Sequence, residues 1–296
     1  MFDKFRLRKN QDQASFPQLG LTGIFTTFLL SVATAVPALE VEISPTTPEL
    51  GDTVSVIVTT DDPNSQPTVT VGQQNYPVFA EGDKYRALLP TSPLDKPGKM
   101  TVVIKGDERT SNIGVWVKNR TFPTQRIRLS GRGAGKATQL ELDKVAEFKK
   151  LVTPEKYWNG SFLRPNAARV STIFGVRRYY NGVFAKNYYH RGVDYAGNYG
   201  SPIIAPAAGK VRLIGREAAG FYVHGNIIGI DHGQGVLSVF MHLQDINVQE
   251  GDFVNPGQRI GTVGSTGAST GPHLHWGLYV NGVAVDPAPW RFGEIP

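Results

Sequence analysis

The apolar residues of this chain come in short runs closed by Gly, Pro, Asn or Asp, and that interruption keeps long helices out of most of it. Between residues 39 and 118 the runs fall at 39–43, 53–58, 67–71, 76–79, 84–89, 99–104 and 113–117. Val54, Val56 and Val58 alternate with Ser55 and Ile57, and turn residues cluster at 49–52, 61–64 and 81–83. Seven strands of this kind read as a small, immunoglobulin-like β-sandwich over 39–118. The chain has no Cys, so that reading rests on strand count and not on an inter-sheet disulfide. Such a module acts as a spacer or, in a sharper reading, binds glycan or wall. The 33 Gly and 20 Pro among 296 residues, with 40% hydrophobic and 19% charged, fit a mainly β chain with many turns. Without Cys neither disulfides nor thiolate metal sites exist, so any metal must sit on His and carboxylates.

Residues 119–160 carry more charge and read as a linker with one helix. The stretch 137–152 lacks Gly and Pro, and Leu142, Val145, Phe148 and Val152 recur at three- and four-residue spacing, which puts them on one inward face. At the N-terminus, Lys4, Arg6, Arg8 and Lys9 precede an uncharged run over 19–32. That order reads as a secretory signal peptide cleaved after Ala35 or Ala38, or as an uncleaved membrane anchor, over residues 1–38. The net charge is +6, and removal of 1–38 takes away four cations and two carboxylates, leaving +4. A charge so small and dispersed argues against a nucleic-acid partner and fits a mature protein held near an anionic envelope. Nothing in the sequence sets an oligomeric state.

Residues 161–296 return to strands separated by Gly-rich stretches such as 229–235 and 264–271, and all six His lie between His190 and His275. His273 and His275 flank Leu274 in a strand-like run, so they share a face with Cα atoms about 6.6 Å apart. One imidazole can then bind a metal while the other reaches the water or substrate beside it. Two half-buried structural histidines would look the same. His190 and Asp194 sit four residues apart, on one face if the segment is extended, although such pairs are commonly surface ion pairs. His242 follows a strand-like run that places Phe240 on its side; alone it reads as structural. His224 falls in a Gly-flanked loop and His232 reads as a turn residue.

Taken in order, His190-x-x-x-Asp194, the dipeptide His242-Leu243 and His273-x-His275 resemble the lysostaphin-like, LytM-type zinc endopeptidases of peptidase family M23. The likeness extends over about 161–290, through Ser171–Gly175, Gly192–Ala196, Ile230–Gly233 and Gly264–Trp276. It implies a LytM-type antiparallel β domain, duplicated hybrid motif-like, with zinc (Zn2+) on His190, Asp194 and His275 and with His242 and His273 as catalytic residues. It further implies hydrolysis of peptide crosslinks in bacterial peptidoglycan, and hence a place in the periplasm or cell envelope. Phe240 departs from the family, where Tyr is common, and the expected consequence is a hydroxyl missing from the groove. Tyr179, Tyr180, Tyr189 and the 264–271 loop are candidates for the groove walls. Relatives that have lost metal ligands act as activators of other wall hydrolases; this chain keeps all five positions.

Overall fold

The computed structural model describes residues 39–62, 64–128 and 136–293. The expected signal or anchor at 1–38 lies outside the described residues, and no helix among them is long and apolar enough to cross a membrane. The first eight strands are β1 (Glu40–Ser44), β2 (Thr53–Thr59), β3 (Thr68–Val71), β4 (Gln74–Tyr76), β5 (Val78–Glu81), β6 (Lys84–Pro90), β7 (Gly98–Gly106) and β8 (Arg109–Val117). The run expected as one strand at 76–79 is two, because Pro77 has no N–H to give a ladder. The chain leaves one sheet there and enters the other. Both sheets are antiparallel, in the orders β1-β2-β6-β5 and β4-β3-β7-β8. Alternation sends Val54, Val56, Val58, Ala87 and Leu89 of one sheet against Val69, Val102, Ile104 and Val115 of the other, which makes the core of a β-sandwich.

The outer face of the β2–β6 pair is also covered. Leu88 belongs to the second, larger core, Trp290 Nε1 donates to Thr53 Oγ1 at 3.2 Å, and Asn281 Nδ2 donates to the Leu88 carbonyl at 2.8 Å. Beyond the sandwich come β9 (Thr124–Ile127), α1 (Gln139–Lys149), β10 (Val170–Thr172), β11 (Arg177–Tyr180), β12 (Val183–Phe184), β13 (Val193–Tyr195) and β14 (Pro202–Ile204). They are followed by β15 (Gly209–Gly215), β16 (Asn226–Gly233), β17 (Val236–Ile246), β18 (Phe253–Val254), β19 (Arg259–Val263), β20 (Leu274–Val280), β21 (Val283–Val285) and α2 (Pro287–Arg291). The main sheet runs β10-β13-β20-β17-β16-β15-β18, antiparallel throughout, with β19 and β21 pairing beside β17 and β20. Ile228, Ile230, Phe240, Trp276 and Leu278 fill the core under it.

The segment expected as a linker contributes to this part of the molecule. β9 adds in parallel to β11, and α1 packs on β15. Thr138 caps the helix by accepting the Glu141 N–H at 3.1 Å. Of the face expected to point inward, Val145 and Phe148 are buried while Leu142 and Val152 are exposed; Glu141 takes the remaining inner position. Phe148 lies over Gly229, where an added Cβ would be 2.7 Å from the ring, so the glycine is what lets the helix approach the sheet. The stretch 229–235, expected as a turn, is therefore strand as far as Gly233; only Gln234 and Gly235, both at positive φ, form the turn to β17.

Candidate metal centre

Antiparallel pairing of β13 with β20 sets Asp194 directly opposite His275. His190 arrives differently. Four residues of continuous strand would put it about 13 Å from Asp194, too far to share a ligand, so the expected common strand face does not account for the site. The chain instead bends at Gly192, just before β13 begins. A Cβ on Gly192 would lie 2.3 Å from the Trp276 carbonyl oxygen and 2.8 Å from His275 Nε2. His190 is fixed by its own backbone, with its N–H donating to Val176 O at 2.8 Å and its carbonyl accepting from Gly175 at 2.9 Å.

The three side chains meet closely and are buried. His190 Nε2 lies 2.9 Å from Asp194 Oδ1 and 3.0 Å from His275 Nδ1, and His275 Nδ1 lies 2.8 Å from the same carboxylate oxygen. Their ligand atoms form a group that could hold a metal ion. His190 Nδ1 bonds the Ile173 carbonyl at 2.8 Å; a carbonyl only accepts, so the ring proton is on Nδ1 and Nε2 turns a lone pair inward. That lone pair and a carboxylate oxygen face each other at 2.9 Å, an arrangement that calls for a cation between them. Burial raises the Asp194 carboxyl, but the His190 and His275 rings outweigh it and hold the group well below the usual carboxylate range. Burial pushes the His275 imidazole down to about 4, against the pull of Asp194. Two imidazoles, one carboxylate and an open side toward the groove fit a three-ligand zinc site.

His242 and His273 stand beside this cluster, their rings 4.7 Å apart, with His242 6.4 Å from the His275 ring. Phe240 is fully buried in the core, so simple alternation would have carried His242 there as well. A bulge prevents it. Phe240 and Leu243 of β17 pair with Ile228 and Asn226, so β17 holds one residue more than β16, and His242 at φ 64° turns back to the groove. The expectation that Phe240 shapes the groove is thereby corrected: its ring is on the other side of the sheet. His242 Nδ1 bonds Thr266 O at 2.8 Å and His273 Nδ1 bonds Gly271 O at 2.8 Å, which fixes both rings with Nε2 as the free nitrogen. Burial, with the neighbouring His273 and His275, pushes the His242 imidazole down to about 3.

These residues lie in a groove of about 700 Å³ whose walls include Thr270, Ala268, Tyr180 and Tyr188. Of the tyrosines named from sequence, Tyr180 lines it. Tyr179 instead packs on Phe184 and Arg126, and Tyr189 is buried with its hydroxyl donating to Ala284 O at 3.0 Å. His232 is a fully buried β16 residue and not part of a turn: its Nδ1 donates to Ala208 O and its Nε2 accepts from Ser238 Oγ.

Three contributors escaped the sequence reading. Arg178 reaches Asp194 Oδ2 at 3.5 Å and so holds the carboxylate from behind. Glu141, buried on α1, accepts from Val223 N–H at 3.0 Å and from His224 N–H and Nδ1 at 2.6 Å each. The His224 carbonyl in turn accepts the His242 N–H at 3.1 Å. Burial raises the Glu141 carboxyl, yet its bonds from the 223–224 segment bring it below its ordinary range. A Glu aligned with apolar residues at i+4 and i+7 was the available signal.

Residues 188–287 match the model of peptidase family M23. An uncharacterized metalloprotease of Haemophilus influenzae is 41% identical over 120 residues, 40% of this chain and 24% of that protein. The peptidoglycan DD-endopeptidase ShyC of Vibrio cholerae is 39% identical over 128 residues, 43% of this chain and 28% of its own length. The match thus spans about a quarter of these relatives. A solved structure from Pseudomonas aeruginosa described as a peptidase M23 superposes with a TM-score of 0.61 at 26% identity, covering 84% of this chain and 96% of that one. With His190, Asp194 and His275 meeting beside His242 and His273, residues 188–287 of this chain carry a peptidase family M23 domain.

Proposed function

We propose that this protein is a zinc-dependent endopeptidase that hydrolyses peptide crosslinks of bacterial peptidoglycan, with residues 161–296 as its catalytic domain and 39–118 and 119–160 as sandwich and linker. The observation that carries the reading is the meeting of His190 Nε2, Asp194 Oδ1 and His275 Nδ1 within 3.0 Å of one another, next to His242 and His273. The relatives named for action on peptidoglycan supply the substrate class. An immunoglobulin-like sandwich is supported by the strand orders β1-β2-β6-β5 and β4-β3-β7-β8, which follow the ABED and C′CFG sheets of that fold. Export through residues 1–38 to the periplasm or cell envelope belongs to the same reading.

Held by these three ligands, zinc supplies Lewis acidity toward water and the scissile carbonyl. The chain's own residues do the rest. His242 and His273, each with its proton on Nδ1, present Nε2 atoms that can take a proton from water, hand one to the leaving amine, and donate to the oxyanion once protonated. Arg178 and the Ile173 carbonyl orient Asp194 and His190. No covalent intermediate is required. Zymography on purified wall tests the reading: clearing that a chelator abolishes and added zinc restores is expected. Absence of clearing by a zinc-loaded protein would instead favour a regulator or wall-binding scaffold.

A further inference from the structure

The groove walls carry an uneven charge. Lys149, Arg178 and Arg191 line them against a single acid, Asp194. Arg178 is spoken for by Asp194. Lys149 and Arg191 form no ion pair among the described residues, although both are half-buried. They converge on one end of the groove, around Tyr279. Lys149 Nζ lies 5.3 Å from the Tyr279 ring centre, and Arg191 acts electrostatically on both Lys149 and Tyr279. Arg191 also lies over the Tyr188 ring at 5.4 Å, which holds its guanidinium on the wall. Burial and the Arg191 charge both weaken the hold of Lys149 on its proton, so the two cations cost stability in the free protein.

The geometry points to a carboxylate subsite: Lys149 and Arg191 take a free carboxylate of the substrate peptide, a few residues from the scissile bond. Tyr279 stands four positions beyond His275 on β20, roughly 13 Å along the strand, and the backbone of Arg191 crosses over Gly277 between them, its carbonyl oxygen 2.9 Å from where a Cβ would stand. An extended peptide covers about 3.3 to 3.6 Å per residue, so three or four residues connect the two places. A desolvated cation pair with no internal acid gains most from a ligand that brings one, and a neutral glycine bridge brings none. The inference rests on the peptidase reading for its orientation and names, within it, the substrate class: crosslinks that bear free carboxylates.

The test uses the full zinc-loaded chain and two synthetic crosslinked peptides, one with free side-chain and C-terminal carboxylates and one with the same groups amidated. Expected are a kcat/KM about 10-fold or more in favour of the carboxylate form, carried mainly by KM, and a fall of that ratio toward one in Lys149→Gln with zinc content unchanged. Binding of both peptides to chelator-treated protein, measured by calorimetry, provides a second readout independent of turnover. Preferential binding of the carboxylate form without any cleavage would sink the peptidase reading and keep the subsite. Equal binding, binding of neither, or a preference that Lys149→Gln leaves intact would overturn the subsite.

Discussion

At the residue scale the chemistry hangs on which nitrogen each imidazole commits elsewhere. His190 gives Nδ1 to Ile173 O, while His242 and His273 give theirs to the Thr266 and Gly271 carbonyls, so one ring turns Nε2 toward Asp194 and, in the proposed mechanism, the other two serve as proton carriers. Removing a ligand and removing a proton carrier should therefore differ in kind. His190→Ala and Asp194→Ala are expected to lose zinc and activity together. His273→Ala should keep zinc and lose about 10²- to 10⁴-fold in turnover. Metal analysis beside kinetics separates the two, and a zinc-replete His190→Ala would contradict the ligand set. Gly192 matters for space alone: with 2.3 Å to Trp276 O, Gly192→Ala must push β20 or the His190 bend aside. We expect a folded protein with weakened zinc binding, measured by competition with a chromophoric chelator; unchanged affinity would show that the bend adapts.

At the scale of elements, a bulge and a helix decide the site. The extra residue in β17 is what separates buried Phe240 from groove-facing His242. Glu141 on α1 receives the bonds of Val223 and His224, and the His224 carbonyl receives His242 N–H, so the helix braces the bulge from outside the main sheet. Glu141→Ala strands two backbone donors and an imidazole, at a cost of about 1 to 3 kcal/mol per buried unpaired group. The expected result is a lower melting temperature and slower turnover at full zinc occupancy, with Glu141→Gln partly restoring both. Normal turnover in Glu141→Ala would mean that the loop holds His242 without the helix.

At the scale of the whole molecule, the acid limit of stability has a definable source. His232 is fully buried and neutral, its pKa pushed by burial down to about 4 from an ordinary 6.5. Between those values the unfolded chain binds a proton that the folded chain refuses, so its contribution is intact above about pH 6.5 and is lost as pH falls toward 4. The loss is on the order of 3 kcal/mol for this one residue. The buried His275 and His242, pushed down to about 4 and about 3, add to the same loss, and Asp194, held below its usual range, acts in the same direction at lower pH. Unfolding of chelator-treated protein followed from pH 7.5 to pH 4.5 should show falling stability, and His232→Gln should flatten the fall. An identical pH profile in that variant would assign the acid sensitivity elsewhere.

The sequence by itself determined the strand-rich class, since short alternating runs closed by turn residues can bury a face only in sheets, and it carried the five motif residues, because residue type and order are read directly from the chain. It also marked the helix, through the stretch free of Gly and Pro. Only the tertiary structure decided how those residues meet. Periodicity describes a regular element, whereas His190 arrives by a bend at Gly192 and His242 by a bulge, and both break the period that would be used to place them. The buried Glu141 escaped notice for a related reason: hydropathy ranks a carboxylate as exposed, and its burial depends on donors from residues 223–224, about eighty positions away. Sequence fixes which groups are available; long-range pairing fixes which of them are satisfied by one another and which remain for a ligand.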